Sequence, residues 1–240
     1  MKEKATISVL LTWQEAWQGE IPDGVNFVQV PLTSTKSHIC HHLKTDLIKK
    51  DQGESTCLLF FSKAAVIGFY DNWGAEPLPK NWKVAAVAAK TATELNNKGY
   101  SVDFVGSSTG MVLVKDLVRQ NFSESYLMLS GNLGGEDVED YFHENKVIFK
   151  KIKVYDNSEP EVAQGRIDEI LEKIDLICLA SPSAAERLLR FRSVQKMPRL
   201  LSIGPVTSKK IKKLGFEVSW QCPEPGYEVF LREIKNYLTK

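Results

Sequence analysis

A chain of 240 residues, 43% apolar and 25% charged, has the balance of a soluble globular protein, with length for one large domain or two of ordinary size. Its net charge is +1 with Lys and Arg spread along it, so the basic stripe that nucleic-acid binding needs is missing. The longest apolar runs, such as Val84–Ala89 and Leu58–Phe61, are strand length and too short to span a bilayer, and the N-terminal stretch has no signal-peptide pattern; the expected location is cytoplasmic.

In chain order, β-branched and apolar runs predict strands at Thr6–Leu11 and Phe27–Pro31, with Pro22-Asp23-Gly24 limiting any helix between them to one or two turns. A helix over His38–Lys49 leads to strand Cys57–Phe61, helix Ala64–Tyr70, strand Lys83–Ala88, helix Thr91–Lys98 and strand Ser101–Val105. Helix Met111–Gln120, strand Tyr126–Ser130, helix Glu136–Glu144 and strand Val147–Val154 follow. The last third alternates helix Pro160–Lys173, strand Leu176–Ala180, helix Ala184–Phe191, strand Leu200–Ile203, helix Thr207–Leu214, strand Glu217–Trp220 and helix Tyr227–Leu238. Strands separated by helices of this length form βαβ units, and hence parallel sheets.

An internal repeat divides the chain. Phe61-Ser62-Lys63-Ala64-Ala65 recurs as Ala180-Ser181-Pro182-Ser183-Ala184-Ala185, with one residue inserted. Val84–Thr91 then aligns with Leu200–Thr207, and the match runs on through Leu95 with Ile211, Gly99 with Gly215, Val102 with Val218 and Phe104 with Trp220. Each copy reads strand, Ser-bearing turn, helix, strand, Thr-bearing turn, helix, Gly, strand. The predicted fold is α/β: two similar flavodoxin- or Rossmann-like domains with parallel sheets. The second copy has too few strands for a sheet of its own, so residues 1–30 are expected to join 157–240 in one domain, with 34–150 as the other. Two extended crossings, at about 29–33 and 151–156, are expected to pair as an antiparallel linker, and a polar cleft between the domains is the expected working site.

In an open parallel sheet, ligands bind beyond the carboxyl ends of the strands. Ser62, Thr91, Ser130, Ser181, Ser183 and Thr207 all fall there, at turns whose backbone N–H groups and helix ends suit carboxylates as well as phosphates. The plainer reading makes each hydroxyl the cap of its helix. Ser130-Gly131-Asn132-Leu133-Gly134-Gly135 is the nearest thing to a glycine-rich anion loop, but it is neither GxGxxG nor GxxxxGK[ST], so a nucleotide site is not expected. His38, Cys40, His41 and His42 suggest metal binding, but the set lacks a further ligand at zinc spacing and reads as a solvated helix face; no metal is expected. Cys40, Cys57, Cys178 and Cys222 have no CxxC spacing and are expected to stay reduced. Trp13 and Trp17 read as core residues, and Lys209, Lys210, Lys212 and Lys213 as a solvated face around buried Ile211 and Leu214.

Several stretches together resemble the uroporphyrinogen-III synthase family: Leu59–Val66, similar to the family's FTSxNAV stretch, Lys90-Thr91-Ala92 with Leu95 and Gly99, and Leu129-Ser130-Gly131-Asn132. Val154-Tyr155, Ser181-Pro182-Ser183-Ala184, and Ile203-Gly204-Pro205-Val206-Thr207 with Leu214-Gly215 continue the likeness in the family's order. The resemblance implies two α/β domains on a two-stranded linker. It also implies a cyclising lyase of haem biosynthesis, in which hydroxymethylbilane loses water and closes to uroporphyrinogen III with its last pyrrole ring inverted. No cofactor is implied, and a monomer is expected whose partner is the linear tetrapyrrole, with neither nucleic acid nor membrane. Carried over residue by residue, Tyr155 is the candidate proton donor to the departing hydroxyl; a hinge-packing aromatic is the alternative. Thr12, Ser62, Lys63, Thr91, Ser130, Gly131, Asn132, Ser181, Ser183, Gly204 and Thr207 are the candidate substrate-binding set. The sequence departs from the family at Trp13, Ala64, Ala88 and Gly135, which removes possible carboxylate contacts. The competing reading is therefore a non-catalytic two-domain module that binds a small polyanion.

Overall fold

Short strands with both faces apolar alternate with amphipathic helices along almost the whole chain, and a computed structural model shows how they assemble. It describes residues 6–14, 17, 20–50, 53–107, 109–161, 163–190, 192–193, 197–224 and 227–238. In chain order the elements are β1 (Ile7–Leu11), β2 (Val25–Gln29), β3 (Ser34–Ser37), α1 (Leu43–Lys50), β4 (Thr56–Phe60), α2 (Lys63–Trp73), β5 (Trp82–Ala86), α3 (Ala89–Asn97), β6 (Phe104–Val105), α4 (Gly110–Arg119) and β7 (Ser125–Ser130). There follow α5 (Glu136–Glu144), β8 (Ile148–Lys153), β9 (Tyr155–Ser158), α6 (Ala163–Ile170) with a 3-10 turn over Leu171–Lys173, β10 (Leu176–Leu179), α7 (Pro182–Leu189), β11 (Arg199–Ser202), α8 (Pro205–Lys213), β12 (Trp220–Gln221) and α9 (Tyr227–Leu238). The chain divides into two compact units, Met1–Ser34 with Ser158–Lys240, and Thr35–Asn157.

The middle unit holds a five-stranded sheet in the order β6-β5-β4-β7-β8, parallel throughout. The two-residue alternation of β4 sends Leu58 and Phe60 to one face, under Leu43 and Leu47 of α1, Phe69 and Trp73 of α2 and Leu95 of α3. It sends Cys57 and Leu59 to the other, under Leu113 and Leu117 of α4 and Phe142 of α5. Burial on both faces is why β4 reads as a continuous apolar run.

The other unit repeats the plan in the order β12-β11-β10-β1-β2, again parallel throughout. Leu10, Ile177 and Leu200 pack beneath α6, α7 and α8, while Val9, Leu11 and Leu201 pack with Phe230 and Ile234 of α9. Strand for strand, β10, β11 and β12 match β4, β5 and β6, and β1 and β2 match β7 and β8. The second copy of the repeat thus completes its sheet with strands from the start of the chain. The repeat holds in detail: Ser62 and Ser181 have φ, ψ of −160°, 159° and −159°, 157°. Gly99 and Gly215 have φ of +85° and +88°, a left-handed helix end that a side chain would strain.

Three expectations need correction. The two-stranded antiparallel sheet is present and pairs β3 with β9, but its bounds are shifted: β3 starts just after the segment 29–33, and β9 shares only Tyr155 and Asp156 with the segment 151–156. Lys151, Ile152 and Lys153 instead extend β8 alongside Met128, Leu129 and Ser130 of β7, and Val30 and Leu32 hydrogen-bond the end of β1 through Leu11 and Thr12. The helix expected from His38 begins only at Leu43, because the His38 N–H is bonded to the Val154 carbonyl and the Cys40 N–H to Asn72 Oδ1. The last strand of each copy shrinks to two residues; at β6, Asp103 meets Val84 with its backbone N–H and its carboxylate in place of a longer ladder. Between β1 and β2 the described residues contain no helix, and Glu15, Ala16, Gln18 and Gly19 lie outside them, as does Phe191 beyond α7.

Candidate functional site

Because each sheet is parallel, the turns that leave it lie along one edge, and each unit gathers its candidate residues there. In the middle unit the first turn follows β4. Ser62 caps α2, its Oγ accepting the Ala65 N–H at 3.1 Å, and exposed Lys63 forms an ion pair with Glu94 at 3.4 Å. The second turn follows β5, where Thr91 enters the first turn of α3 and is 5% exposed. The third follows β7 and brings Ser130, Gly131 and Asn132 next to the chain returning from β8.

That third turn carries the densest geometry. The Val154 N–H donates to the Ser130 carbonyl at 2.9 Å, holding the returning chain against the end of β7. Tyr155 comes next, and its ring lies directly on Gly131: a Cβ there would stand 2.6 Å from both Cε2 and Cζ. Only glycine permits so close an approach. The Ser130 hydroxyl is excluded from solvent and has no hydrogen-bond partner among the described residues. The phenol of Tyr155 likewise has no hydrogen-bond partner among the described residues, though it is not sealed off. On the neighbouring residue, Asp156 bonds Lys153 Nζ at 3.1 Å and His38 Nδ1 at 3.0 Å. The Lys153 hydrogen bond, with His38 adding, holds the Asp156 carboxyl below its usual range.

Gly134 and Gly135 have φ of +79° and +95°, and the turn they form is tied down by Lys151, which donates to the Gly134 carbonyl at 2.9 Å and to Glu139 at 2.6 Å. A Gly135 side chain would begin 2.9 Å from Met128 Cε, which would have to move, and 3.6 Å from the Lys151 ammonium, an ordinary contact; the left-handed φ is what disfavours a larger residue there.

In the other unit, Ser181 caps α7 by accepting the Ala184 N–H at 3.1 Å, with the Ser183 hydroxyl 3.1 Å away. Gly204 begins α8 in extended backbone, and Thr207 sits in its first turn, 2% exposed. Thr12 is different: 1% exposed, it donates its hydroxyl to the Cys178 carbonyl at 2.8 Å and so ties the end of β1 to β10. That bond gives Thr12 a structural role within the sheet.

The first turns of α2, α3, α7 and α8 carry no acidic residue, so the positive helix ends after Ser62, Thr91, Ser181 and Thr207 are left uncompensated. α5 carries Glu136, Asp137 and Glu139 there, which makes the turn after β7 the poorest place for an anion despite its glycines. Sequence reasoning missed Gly68, Lys151 and the His38–Asp156 pair. The first two become legible only when the chain passes close to them; the pair joins the residue that follows β3 to β9, across 118 positions of sequence. Among the described residues no group of three or more His, Cys, Asp or Glu is placed to hold a metal, and no helix is long and apolar enough to cross a membrane.

Two parallel α/β units with hydroxyl-bearing turns at their strand ends, and a tyrosine set on one of those turns, belong to the open-sheet α/β class, in which ligands bind beyond the carboxyl ends of the strands. The sequence profile described as HEM4, Uroporphyrinogen-III synthase HemD, matches residues 22–231, and the chain belongs to the uroporphyrinogen-III synthase family, cyclising lyases of haem biosynthesis. Its fold is similar to that of uroporphyrinogen-III synthetase from Helicobacter pylori 26695, at a TM-score of 0.67 and 16% identity over 97% of this chain and 100% of that one. It is also similar to a mutant uroporphyrinogen III synthase from the extremely thermophilic bacterium Thermus thermophilus, at a TM-score of 0.66 and 14% identity over 98% of this chain and 99% of that one. No curated protein matches the sequence.

Proposed function

We propose that this chain converts hydroxymethylbilane to uroporphyrinogen III without a cofactor, acting as a cytoplasmic monomer. The observation that carries the reading is the pair of unpartnered hydroxyls at the end of β7, Tyr155 on its glycine shelf and Ser130 beside it. A phenol with no partner among the described residues is available to a substrate hydroxyl. In the proposed step the C–O bond of the hydroxymethyl group breaks as the Tyr155 proton passes to the leaving oxygen. Water departs, and the pyrrole nitrogen takes up the positive charge left on carbon. The already substituted carbon of the last ring attacks that carbon and closes the macrocycle at a spiro centre. Its older bond, to the methylene of the preceding ring, then breaks. The freed methylene bonds to the ring's unsubstituted α-carbon so that the ring is inverted, and the proton lost from that α-carbon restores the phenol.

The leaving group departs readily, so the larger demand is orientation: the chain must hold the bilane where the inverting attack is favoured. Eight substrate carboxylates need neutral donors more than a strongly basic surface. The acid-free first turns of α2, α3, α7 and α8, which carry or adjoin Ser62, Thr91, Ser181 and Thr207, together with Lys63, supply amides, hydroxyls and a cation suited to them. Gly204 lets the backbone ahead of Thr207 come close to a ligand. The test is the product isomer formed from freshly prepared hydroxymethylbilane. The type III isomer, made faster than the spontaneous reaction, is expected. The type I isomer alone, at the spontaneous rate, overturns the proposal.

A further inference from the structure

We infer that Asn132 is a positioning residue for Tyr155, holding the phenol on Gly131 rather than meeting substrate itself. The inference rests on the role proposed for Tyr155 above. β8 ends at Lys153, and the last bond from the returning chain to β7 is that from the Val154 N–H to the Ser130 carbonyl, at 2.9 Å. Past this point the parallel ladder stops and the chain turns into β9. Asn132 supplies the next attachment from its side chain: Oδ1 accepts the Asn157 N–H at 2.7 Å, and Nδ2 donates toward the Asn157 carbonyl at 3.3 Å. One amide thus meets both backbone groups of one residue, as a neighbouring strand would.

Tyr155 stands between these two attachments. Its backbone is held on one side by the Ser130 carbonyl and on the other by Asn132, and its ring rests on the residue between them in sequence, Gly131. Cζ, the ring carbon that carries the hydroxyl, is one of the two atoms 2.6 Å from where a Gly131 Cβ would be. The phenol oxygen is therefore carried on the turn that bears the unpartnered Ser130 hydroxyl. The three residues of Ser130-Gly131-Asn132 then act separately. Ser130 offers a hydroxyl, Gly131 makes room for the ring, and Asn132 fixes the strand that carries it. Asparagine suits the third position because only an amide presents an acceptor and a donor side by side; aspartate keeps the shorter of the two bonds and loses the longer.

The test is a double-mutant cycle in the full chain with hydroxymethylbilane as substrate, measuring kcat, KM and thermal unfolding for Tyr155→Phe, Asn132→Ala and the double variant. Misplacing a reacting group by about 1 Å costs up to roughly 100-fold, so Asn132→Ala is expected to lower kcat by about 10- to 100-fold with KM little changed. In the Tyr155→Phe background the same substitution is expected to cost less than about threefold, because there is no longer a phenol to place. Asn132→Asp is expected to recover part of the lost kcat through the bond it keeps. Where Asn132→Ala does not fold, the near-isosteric Asn132→Leu takes its place in the cycle. Equal losses from Asn132→Ala with and without the phenol overturn the inference, as does a rise in KM at unchanged kcat, which makes Asn132 a substrate ligand. Unchanged turnover in Tyr155→Phe overturns the Tyr155 role first, and this inference with it.

Discussion

Gly68 lies inside α2, where glycine is ordinarily a weakness: replacing an interior helical glycine by alanine normally gains about 1 kcal/mol. The structure reverses that sign. A Cβ on Gly68 would stand 2.1 Å from the Val154 carbonyl oxygen and 2.8 Å from its carbon. Opening the first contact from 2.1 Å to even 3.0 Å, the least distance real Cβ atoms keep, requires helix and strand to part by about 0.9 Å. Both obstructing atoms are backbone, so no side chain can swing aside. Forced separations of this kind in a packed core cost about 1–3 kcal/mol, enough to cancel the propensity gain and leave Gly68→Ala destabilised by up to roughly 2 kcal/mol. Val154 precedes Tyr155, so on the role proposed for Tyr155 an equal shift of the phenol is expected to lower turnover by up to about 100-fold. Urea unfolding followed by tryptophan fluorescence reads the stability, with Trp73 in the same cluster as Phe69 and Val154. Turnover of hydroxymethylbilane reads the displacement. A Gly68→Ala protein as stable as the parent, or more so, with unchanged kcat, would refute the idea that close approach of two backbones selected glycine here.

Two further outcomes are expected. Ser62→Ala and Ser181→Ala each remove a helix cap of the same geometry, so each is expected to cost about 1 kcal/mol in thermal unfolding, with Asp at either position recovering most of it; a loss at only one of them breaks the equivalence of the two turns. Of the four cysteines only Cys40 is exposed, and burial raises the Cys57 thiol to about 12 and lifts the Cys178 and Cys222 thiols as well, so iodoacetamide on the native protein is expected to give one adduct by mass spectrometry and four after unfolding.

The architecture was legible in the linear chain because the signals that carry it are local. Apolar runs such as Cys57–Phe61, helix-period stretches such as Glu136–Glu144, and paired landmarks such as Leu95 with Ile211 and Gly99 with Gly215 were all in place before any contact was known. The same locality put Ser62 and Ser181 at equivalent turns. Thr12 entered the candidate set through the family resemblance, whereas its hydroxyl is occupied by a bond to the Cys178 carbonyl, 166 residues away.

Which residues the chemistry-bearing side chains meet was decided by packing instead. His38 and Asp156 meet across 118 positions, Asn132 reaches Asn157, and Gly131 and Gly68 are needed because Tyr155 and Val154 lie on them. A glycine written in a sequence does not say what presses against it, and an asparagine does not say which backbone it will complete. Secondary structure follows from the period of neighbouring residues, whereas a side chain's role depends on which distant segment the packed sheets bring alongside it.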